Sequence, residues 1–220
     1  GPPGTGKTRF AQAVRKECDQ NNIKFLNVPV GKVKDPFVGR SEERLNAIFD
    51  YVEAHAPSVV FFDEAEELLS KPSMGSDGGG VQTALVNVYL QRVGGIDSNT
   101  TKPPLLIAAT NTPPSLLDGA ALRRYQAKFF VDLPGKKSRS AILDGIFDAE
   151  GYRGIDLDQL LESTEGLSGS EIVTEIESYI STKIRPGEEE DIDYQELNTR
   201  LDSLAKKDET ERTKFFADAQ

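Results

Sequence analysis

The sequence is poor in the residues that build disulfide frameworks and zinc sites. It has one cysteine, Cys18, and one histidine, His55, among 220 residues. A single cysteine cannot form a disulfide within the chain, and a cysteine–histidine zinc site needs several such ligands. These two kinds of domain are therefore excluded, and we expect a reducing, cytoplasmic location.

Long apolar runs and positive charge are lacking as well. No apolar stretch approaches the length needed to cross a bilayer, and the first residues do not form a basic-then-apolar signal, so we expect a soluble chain without a membrane segment. Lys plus Arg total 26 against 36 Asp plus Glu, a formal net charge of -10. Such a chain repels phosphate backbones, which makes nucleic acid unlikely as a partner and favours protein.

A phosphate-binding motif opens the chain. Residues 1–8 match the full pattern G-x-x-x-x-G-K-[ST]. Its glycines let backbone N–H groups approach phosphates, Lys7 reaches the β and γ phosphates, and the Thr8 hydroxyl binds Mg²⁺. The predicted nucleotide-binding residues of the motif are Gly1, Pro2, Pro3, Gly4, Thr5, Gly6, Lys7 and Thr8. Because such a loop follows a β-strand, we also expect sequence before its first glycine.

Two acids follow an apolar run at residues 59–64 (VVFFDE). Such a run predicts a buried parallel strand with functional groups at its carboxyl end. In a P-loop enzyme, Asp63 would complete the Mg²⁺ site and bind nucleotide with Thr8, and Glu64 would polarise the attacking water. The alternative is a pair of solvated acids at a strand end. The P-loop at the expected distance upstream favours the catalytic interpretation.

Hydrophobic patterning predicts an α/β domain followed by a helical one. Four strands are predicted, at residues 24–28, 59–64, 105–111 and 128–133. After Gly135 the apolar residues recur only at helical spacing, which indicates a separate helical domain. We therefore predict a nucleotide-binding α/β domain over residues 1–134 and a helical domain over residues 135–220, which the resemblance described below implies is a lid.

Five segments in order resemble the AAA+ ATPases, and within them the AAA group that includes the protein unfoldases and katanin-like severing enzymes. They are GPPGTGKT (Walker A), FVGRSEERLNAIF, VVFFDEAEELL (Walker B), AATNTPPSLLDGAALRRY (second region of homology) and GLSGSEI. The resemblance covers essentially the whole chain. It implies an α/β fold, a P-loop NTPase parallel αβα sandwich followed by a small all-helical lid, with nucleotide in the cleft between them.

The resemblance implies further roles near the nucleotide. Asn111 matches sensor 1, a polar group that would orient the water near the γ-phosphate; alone, it could also open a turn before Pro113 and Pro114. Arg123 and Arg124 match the arginine-finger segment, in which a cation completes the site of the neighbouring subunit. An exposed pair without such a role is the alternative. The segment is shorter than the R-P-G-R-F form of the unfoldases, so the principal finger stays open.

Two further segments match parts of the family that contact substrate and adenine. Phe37, Val38 and Gly39 match the first pore loop, whose aromatic residue grips an extended polypeptide; a buried phenylalanine that anchors a loop is the alternative. Gly169 and Ser170 match the place where the helical domain closes over adenine. The alternative there is a helix N-terminus without nucleotide contact.

The function that the resemblance implies is ATP hydrolysis, with ATP and Mg²⁺ as cofactors, coupled to remodelling, unfolding or translocation of protein substrates. The working form would be a homo-oligomeric ring, expected to be a hexamer. A nucleic-acid motor or clamp-loader-like ATPase is the alternative, and an ATP-binding switch that hydrolyses little is another. Glu64 and Asn111 disfavour the switch. Glu64-Ala65-Glu66 replaces the family's D-E-I-D, which leaves the subfamily open.

Overall fold

The structure is a computed structural model. It describes residues 1–35, 37, 39–70, 79–95, 103–152, 155–183 and 192–207. The chain divides into two compact units. One contains Lys7–Phe130, and the other contains Gly1–Gly6 together with the residues from Val131 onwards. The boundary expected after residue 134 stays a prediction.

A parallel sheet organises the unit Lys7–Phe130. Its strands are β1 (Lys24–Pro29), β2 (Ser58–Asp63) and β3 (Leu105–Ala108), in the order β1-β2-β3. Val59 of β2 pairs with Phe25 on one side and with Leu105 on the other. β2 is buried along its length up to Phe62, because it has a strand on each side and helices on both faces. The first three predicted strands are confirmed, although β3 ends at Ala108 and not at residue 111 as predicted.

Helices cover both faces of this sheet. They are α1 (Lys7–Gln20), α2 (Arg40–Ala54), α3 (Glu66–Leu69), α4 (Gly79–Gly95) and α5 (Gly119–Arg123). Side chains alternate along β2, as strand geometry requires. Val60 and Phe62 belong to a core that includes α2 and α4. Phe61 packs on the opposite face with Ala11 of α1 and with Ala109. The predicted αβα layering is confirmed.

Three aromatic rings lie at the centre of the larger core. Phe49 of α2, Phe62 of β2 and Tyr89 of α4 are fully buried. Their ring centroids lie 5.6, 5.9 and 6.1 Å apart, within the favourable range for aromatic pairs. Because each ring comes from a different element, the cluster fixes how the two helices pack on the central strand.

The strand predicted at residues 128–133 is wrong, because the segment has no regular secondary structure. An extended segment becomes a strand only when a neighbour completes its backbone hydrogen bonds. Among the described residues the sheet consists of β1, β2 and β3, and β3 pairs with β2 alone. Two aromatic rings of this segment are exposed: Phe129 is 86% exposed and Phe130 is 47% exposed.

The described part of the other unit is helical from Lys136 onwards. Its helices are α6 (Lys136–Ala149), α7 (Asp158–Leu161), α8 (Gly169–Lys183) and α9 (Tyr194–Lys207). Their apolar faces share one core, made of Leu143, Phe147, Leu160, Leu161, Leu167, Ile172, Ile176, Tyr179, Ile180, Leu197 and Leu201. This architecture agrees with the predicted all-helical domain, of which residues 208–220 lie outside the described part. Within the described residues, no helix is long and apolar enough to cross a membrane.

Candidate ATP site

The first half of the phosphate-binding motif bends at two glycines. Gly4 has φ 72° and Gly6 has φ 97°, in the left-handed region that glycine adopts without steric cost. Thr5 Oγ1 donates a hydrogen bond to the Pro2 carbonyl oxygen at 2.9 Å, which closes the turn. The glycines of the motif therefore take conformations that a phosphate-cradling loop requires.

The first turn of α8 packs against Gly4. The Ser170 N–H donates to the Gly4 carbonyl oxygen at 3.1 Å. A Cβ on Gly4 would lie 2.1 Å from Ser170 Oγ and 2.7 Å from Ser168 Oγ, so no larger residue fits. Ser168 caps α8 reciprocally with Glu171, through N–H bonds of 2.6 and 3.3 Å. Gly169 and Ser170 thus lie at the P-loop, and their contact with adenine stays a prediction.

Two oxygen atoms suited to Mg²⁺ meet where α1 begins and β2 ends. Thr8 Oγ1 donates to Asp63 Oδ2 at 3.0 Å. Mg²⁺ prefers oxygen ligands, keeps several waters and commonly takes phosphate oxygens, so one or two protein oxygens suffice. In the described part of the chain, no cluster of three or more acidic, histidine or cysteine side chains could hold a metal. The pair therefore fits a metal that arrives with nucleotide, as the P-loop motif predicts.

Lys7 lies in the electrostatic field of the same strand end. Burial lowers the pKa of its ammonium group, and the carboxylates of Glu66 and Asp63 act in the opposite direction. Both acids therefore favour the charged form of Lys7. The predicted phosphate-binding cation and the predicted metal ligand belong to one polar cluster.

Glu64 combines an unusual backbone with an available carboxylate. Its φ is 53°, a conformation that costs a non-glycine residue energy and that clusters at functional sites. Its N–H donates to Asp63 Oδ1 at 3.1 Å. The side chain is exposed, and its carboxylate accepts no hydrogen bond among the residues that the structure describes. The carboxylate is therefore available to a water molecule.

The predicted sensor lies beside this turn. The Ala65 N–H donates to the Ala109 carbonyl oxygen at 2.8 Å, which joins the ends of β2 and β3. The Asn111 N–H donates to Glu66 Oε1 at 2.6 Å. No role was predicted for Glu66 from the sequence. The only signal was that this position lies in the segment that departs from the family's D-E-I-D.

The two adjacent arginines have different environments. Arg124 donates from Nε to the Leu90 carbonyl oxygen of α4 at 2.9 Å and from Nη1 to the Ala120 carbonyl oxygen at 2.7 Å. Arg123 donates from Nε to the Gly119 carbonyl oxygen at 3.0 Å. Its terminal nitrogens make no hydrogen bond within the described ranges. Arg124 is tied to its own chain, whereas Arg123 presents free donors.

A tyrosine pair anchors the same segment to α4. The hydroxyl groups of Tyr89 and Tyr125 are hydrogen-bonded to each other. Burial raises the pKa of Tyr89 well above its ordinary value, and it raises the pKa of Tyr125 to about 12. Both phenols therefore keep their protons at neutral pH, so one can always donate to the other.

The predicted pore-loop aromatic is exposed. The Phe37 side chain is 64% exposed, so it is not a buried anchor. The guanidinium of Arg40 lies over its ring, 4.7 Å from the centroid, within cation–π range. Gly39 has φ 87° and precedes α2. Val38, the remaining residue of the predicted loop, lies outside the described residues.

Asp35 fixes the backbone of this segment. Its N–H donates to Ser41 Oγ at 2.9 Å, and its Oδ1 accepts from the Phe37 N–H at 3.0 Å. Arg44 Nη2 donates to the second carboxylate oxygen at 2.5 Å. The N–H of Phe37 is therefore bound to a carboxylate that Arg44 also contacts.

Sequence comparison decides the family. The sequence model of the ATPase family associated with various cellular activities (AAA) matches residues 1–133. The chain belongs to the AAA ATPase family. As a member, it is an ATP-binding domain and an ATP hydrolase, and the predicted Walker A and Walker B segments fall inside the matched range.

Individual relatives extend the match beyond those residues. The chain is 33% identical over 175 residues to spastin of Drosophila persimilis, covering 78% of this chain and 21% of the relative. It is 33% identical over 174 residues to spastin of Xenopus tropicalis, covering 78% of this chain and 28% of the relative. The chain thus spans between a fifth and a third of the length of these relatives.

A solved structure supports the fold. The crystal structure of the FIGL-1 AAA domain in complex with ADP superimposes with a TM-score of 0.71 at 26% identity. The alignment covers 98% of this chain and 76% of the other. The chain is therefore an AAA ATPase related to spastin and FIGL-1, and the predicted α/β fold class is confirmed.

Proposed function

We propose that this chain is the motor module of an oligomeric ring that uses the hydrolysis of Mg²⁺-bound ATP to remodel, unfold or translocate protein substrates. The observation that carries the protein-substrate part is the exposed ring of Phe37, whose N–H is bound to the Asp35 carboxylate. The family membership carries the ATPase part.

Lys7, Thr8 and Asp63 would hold the magnesium nucleotide on this proposal. Thr8 Oγ1 and Asp63 Oδ2 already lie 3.0 Å apart, and Lys7 adds the positive charge. Bound Mg²⁺ would neutralise charge on the phosphate oxygens. Ser170 and Gly169 would contribute through their position at Gly4 of the P-loop.

The attacking water would be activated by Glu64 and oriented by Asn111. The strained backbone of Glu64 holds an exposed carboxylate at the end of β2, where it can accept a proton from water. Asn111 follows β3, the neighbouring parallel strand, so its amide can meet the same water. These roles rest on position and family membership together.

Arg123 is the better candidate for the principal arginine finger. A finger must extend guanidinium N–H groups towards the nucleotide of a neighbouring subunit. Arg123 uses only Nε on its own chain among the described residues, whereas Arg124 uses Nε and Nη1. We infer that Arg124 braces α5 against α4 and that Arg123 reaches the neighbour.

Charge and chemistry favour protein over nucleic acid as the substrate. The net charge of -10 opposes binding to a phosphate backbone. An exposed phenylalanine gives apolar grip on an extended polypeptide. A hexameric ring and a cytoplasmic location complete the proposal.

The test is Phe37→Ala in the full-length protein. Phe37 stands apart from the phosphate-binding residues, so basal ATP turnover should stay within about twofold of wild type while unfolding of a tagged model protein is lost. Tyr51→Ala is the matched control, because Tyr51 is an exposed aromatic of α2 that stacks on His55. The control should retain unfolding.

Three outcomes would go against the proposal. Normal unfolding by Phe37→Ala would remove the pore-loop assignment. A clearly lower unfolding temperature of Phe37→Ala would indicate that Phe37 has a structural role. ATP turnover stimulated by DNA or RNA, and not by unfolded protein, would favour the nucleic-acid alternative.

A further inference from the structure

The turn after β2 is tied to the segment after β3 by more than the sheet itself. Backbone hydrogen bonds continue the pairing, from the Ala109 N–H to the Phe62 carbonyl oxygen at 2.9 Å and from the Ala65 N–H to the Ala109 carbonyl oxygen at 2.8 Å. The next contact between the two segments involves a side chain. The Asn111 N–H donates to Glu66 Oε1 at 2.6 Å, so a side chain holds the backbone at the sensor position.

This contact has the character of a strong hydrogen bond. N–H···O bonds in proteins are commonest near 2.9 to 3.0 Å, and bonds to a charged acceptor are shorter and about twice as strong. The 2.6 Å contact between Asn111 and Glu66 is partly buried, where water competes less. Its loss would release the backbone of Asn111 from the turn that carries Glu64.

The neighbouring acid gives a direct comparison. Glu66 and Glu67 both lie in the first turn of α3, where any carboxylate gains from the helix dipole. Glu67 forms an ion pair with Lys34. Glu66 contacts Asn111 instead. A general helix-start role applies to both acids, so it cannot account for the contact that only one of them makes in the described part of the chain.

We propose that Glu66 is a positioning residue for ATP hydrolysis, whose carboxylate fixes the Asn111 backbone so that the Asn111 amide meets the water activated by Glu64. This inference rests on the roles proposed above for Asn111 and Glu64. The carboxylate of Glu66 also favours the charged form of Lys7.

Steady-state ATP turnover of full-length variants tests the inference. In Glu66→Ala, kcat should fall about 10- to 100-fold, the scale of a small misplacement of a catalytic group, while ADP affinity changes less than about threefold. Glu66→Gln keeps an oxygen acceptor at the same reach, so kcat should recover to within about fivefold of wild type. Glu67→Gln is the matched control, and its kcat should equal that of wild type.

A double-mutant cycle separates positioning from a merely structural effect. If Glu66 acts through Asn111, the double variant Glu66→Ala/Asn111→Ala should be no slower than Asn111→Ala alone. Independent losses that multiply in the double variant would overturn the inference. If Asn111→Ala is slow but Glu66→Ala turns over ATP like wild type, the inference about Glu66 is wrong and the sensor role of Asn111 stands. If Asn111→Ala itself turns over ATP like wild type, both the sensor role and the inference about Glu66 are wrong.

If Glu66→Ala does not fold, the inference can still be tested with two milder variants, Glu66→Gln and Glu66→Asp. Thermal unfolding without nucleotide reports the state of each variant. Glu66→Asp keeps the charge but withdraws the oxygen atoms by one methylene, so it should be slower than Glu66→Gln. The reverse order would show that charge near Lys7, and not the bond to Asn111, is what Glu66 supplies.

Discussion

The end of β2 and the end of α5 each carry two adjacent residues of like charge, acidic at β2 and basic at α5, with different hydrogen bonding within each pair. At the first, Asp63 is bound to Thr8 while the adjacent Glu64 presents an exposed carboxylate. At the second, Arg124 is bound to the carbonyl oxygens of Leu90 and Ala120, while the terminal N–H groups of the adjacent Arg123 make no hydrogen bond to any residue that the structure describes. In each region one residue anchors the backbone and its neighbour presents the functional group.

The two regions differ in where the presented group can act. Glu64 follows the strand that ends at Asp63, so on the proposed function it would act on the nucleotide of its own chain. Arg123 lies at the end of a short helix that is braced against α4, and the nearby Tyr125 is tied to Tyr89. The comparison suggests a rule for the proposed finger: Arg123 would reach a neighbouring subunit from a segment that Arg124 and Tyr125 hold against α4.

Glu64→Gln should have the largest effect. The amide cannot take a proton from water, so ATP turnover should fall by roughly 10²- to 10⁴-fold. Lys7, Thr8 and Asp63 remain, so affinity for ATP with Mg²⁺ should persist; measurement of both quantities in the full-length protein checks this. Lys7→Ala provides the contrast, since it should lose nucleotide binding. Wild-type turnover in Glu64→Gln would mean that another group activates the water.

The tyrosine pair should give the smallest effect, visible only at alkaline pH. Burial raises the pKa of Tyr125 from 10.0 to about 12, so the folded state favours the protonated phenol. The corresponding stability is fully present below the unfolded pKa near 10 and is lost as pH rises towards 12. The free energy of unfolding of wild type should therefore fall over this window.

In the double variant Tyr89→Phe/Tyr125→Phe, the free energy of unfolding should fall less between pH 10 and pH 12 than it does in wild type. Near neutral pH the double variant should lose only about 1 kcal/mol, because both hydroxyls are removed together and no buried donor is left unpaired. Tyr51→Phe, at an exposed position, is the control. Urea unfolding at several pH values provides the measurement, and an alkaline loss unchanged in the double variant would place its source elsewhere.

Local pattern predicted most of the sheet but failed where a strand depends on its partner. The apolar runs of β2 and β3 identified buried strands, and the glycines of the P-loop predicted its conformation. The segment at residues 128–133 has the same local pattern, yet it forms no strand, because pairing is a property of two segments and not of one.

The candidate site divides in the same way. Thr8 and Asp63 could be paired from sequence, since both belong to motifs with known chemistry. The bond between Asn111 and Glu66, and the bond from Arg124 to Leu90, join residues 45 and 34 positions apart. No periodicity or motif spacing encodes such contacts, so the anchoring residue beside each presented group could be identified only in the folded chain.

Mixed rings show whether Arg123 serves the neighbouring subunit. Arg123→Ala subunits keep an intact nucleotide pocket, and Lys7→Ala subunits keep an intact finger. Each variant alone should turn over little ATP. In an equal mixture, roughly a quarter of the interfaces of a closed ring should join an intact pocket to an intact finger. We predict that verified mixed rings hydrolyse ATP well above the sum of the two variants assayed separately; turnover that stays at that sum would contradict action of Arg123 in trans.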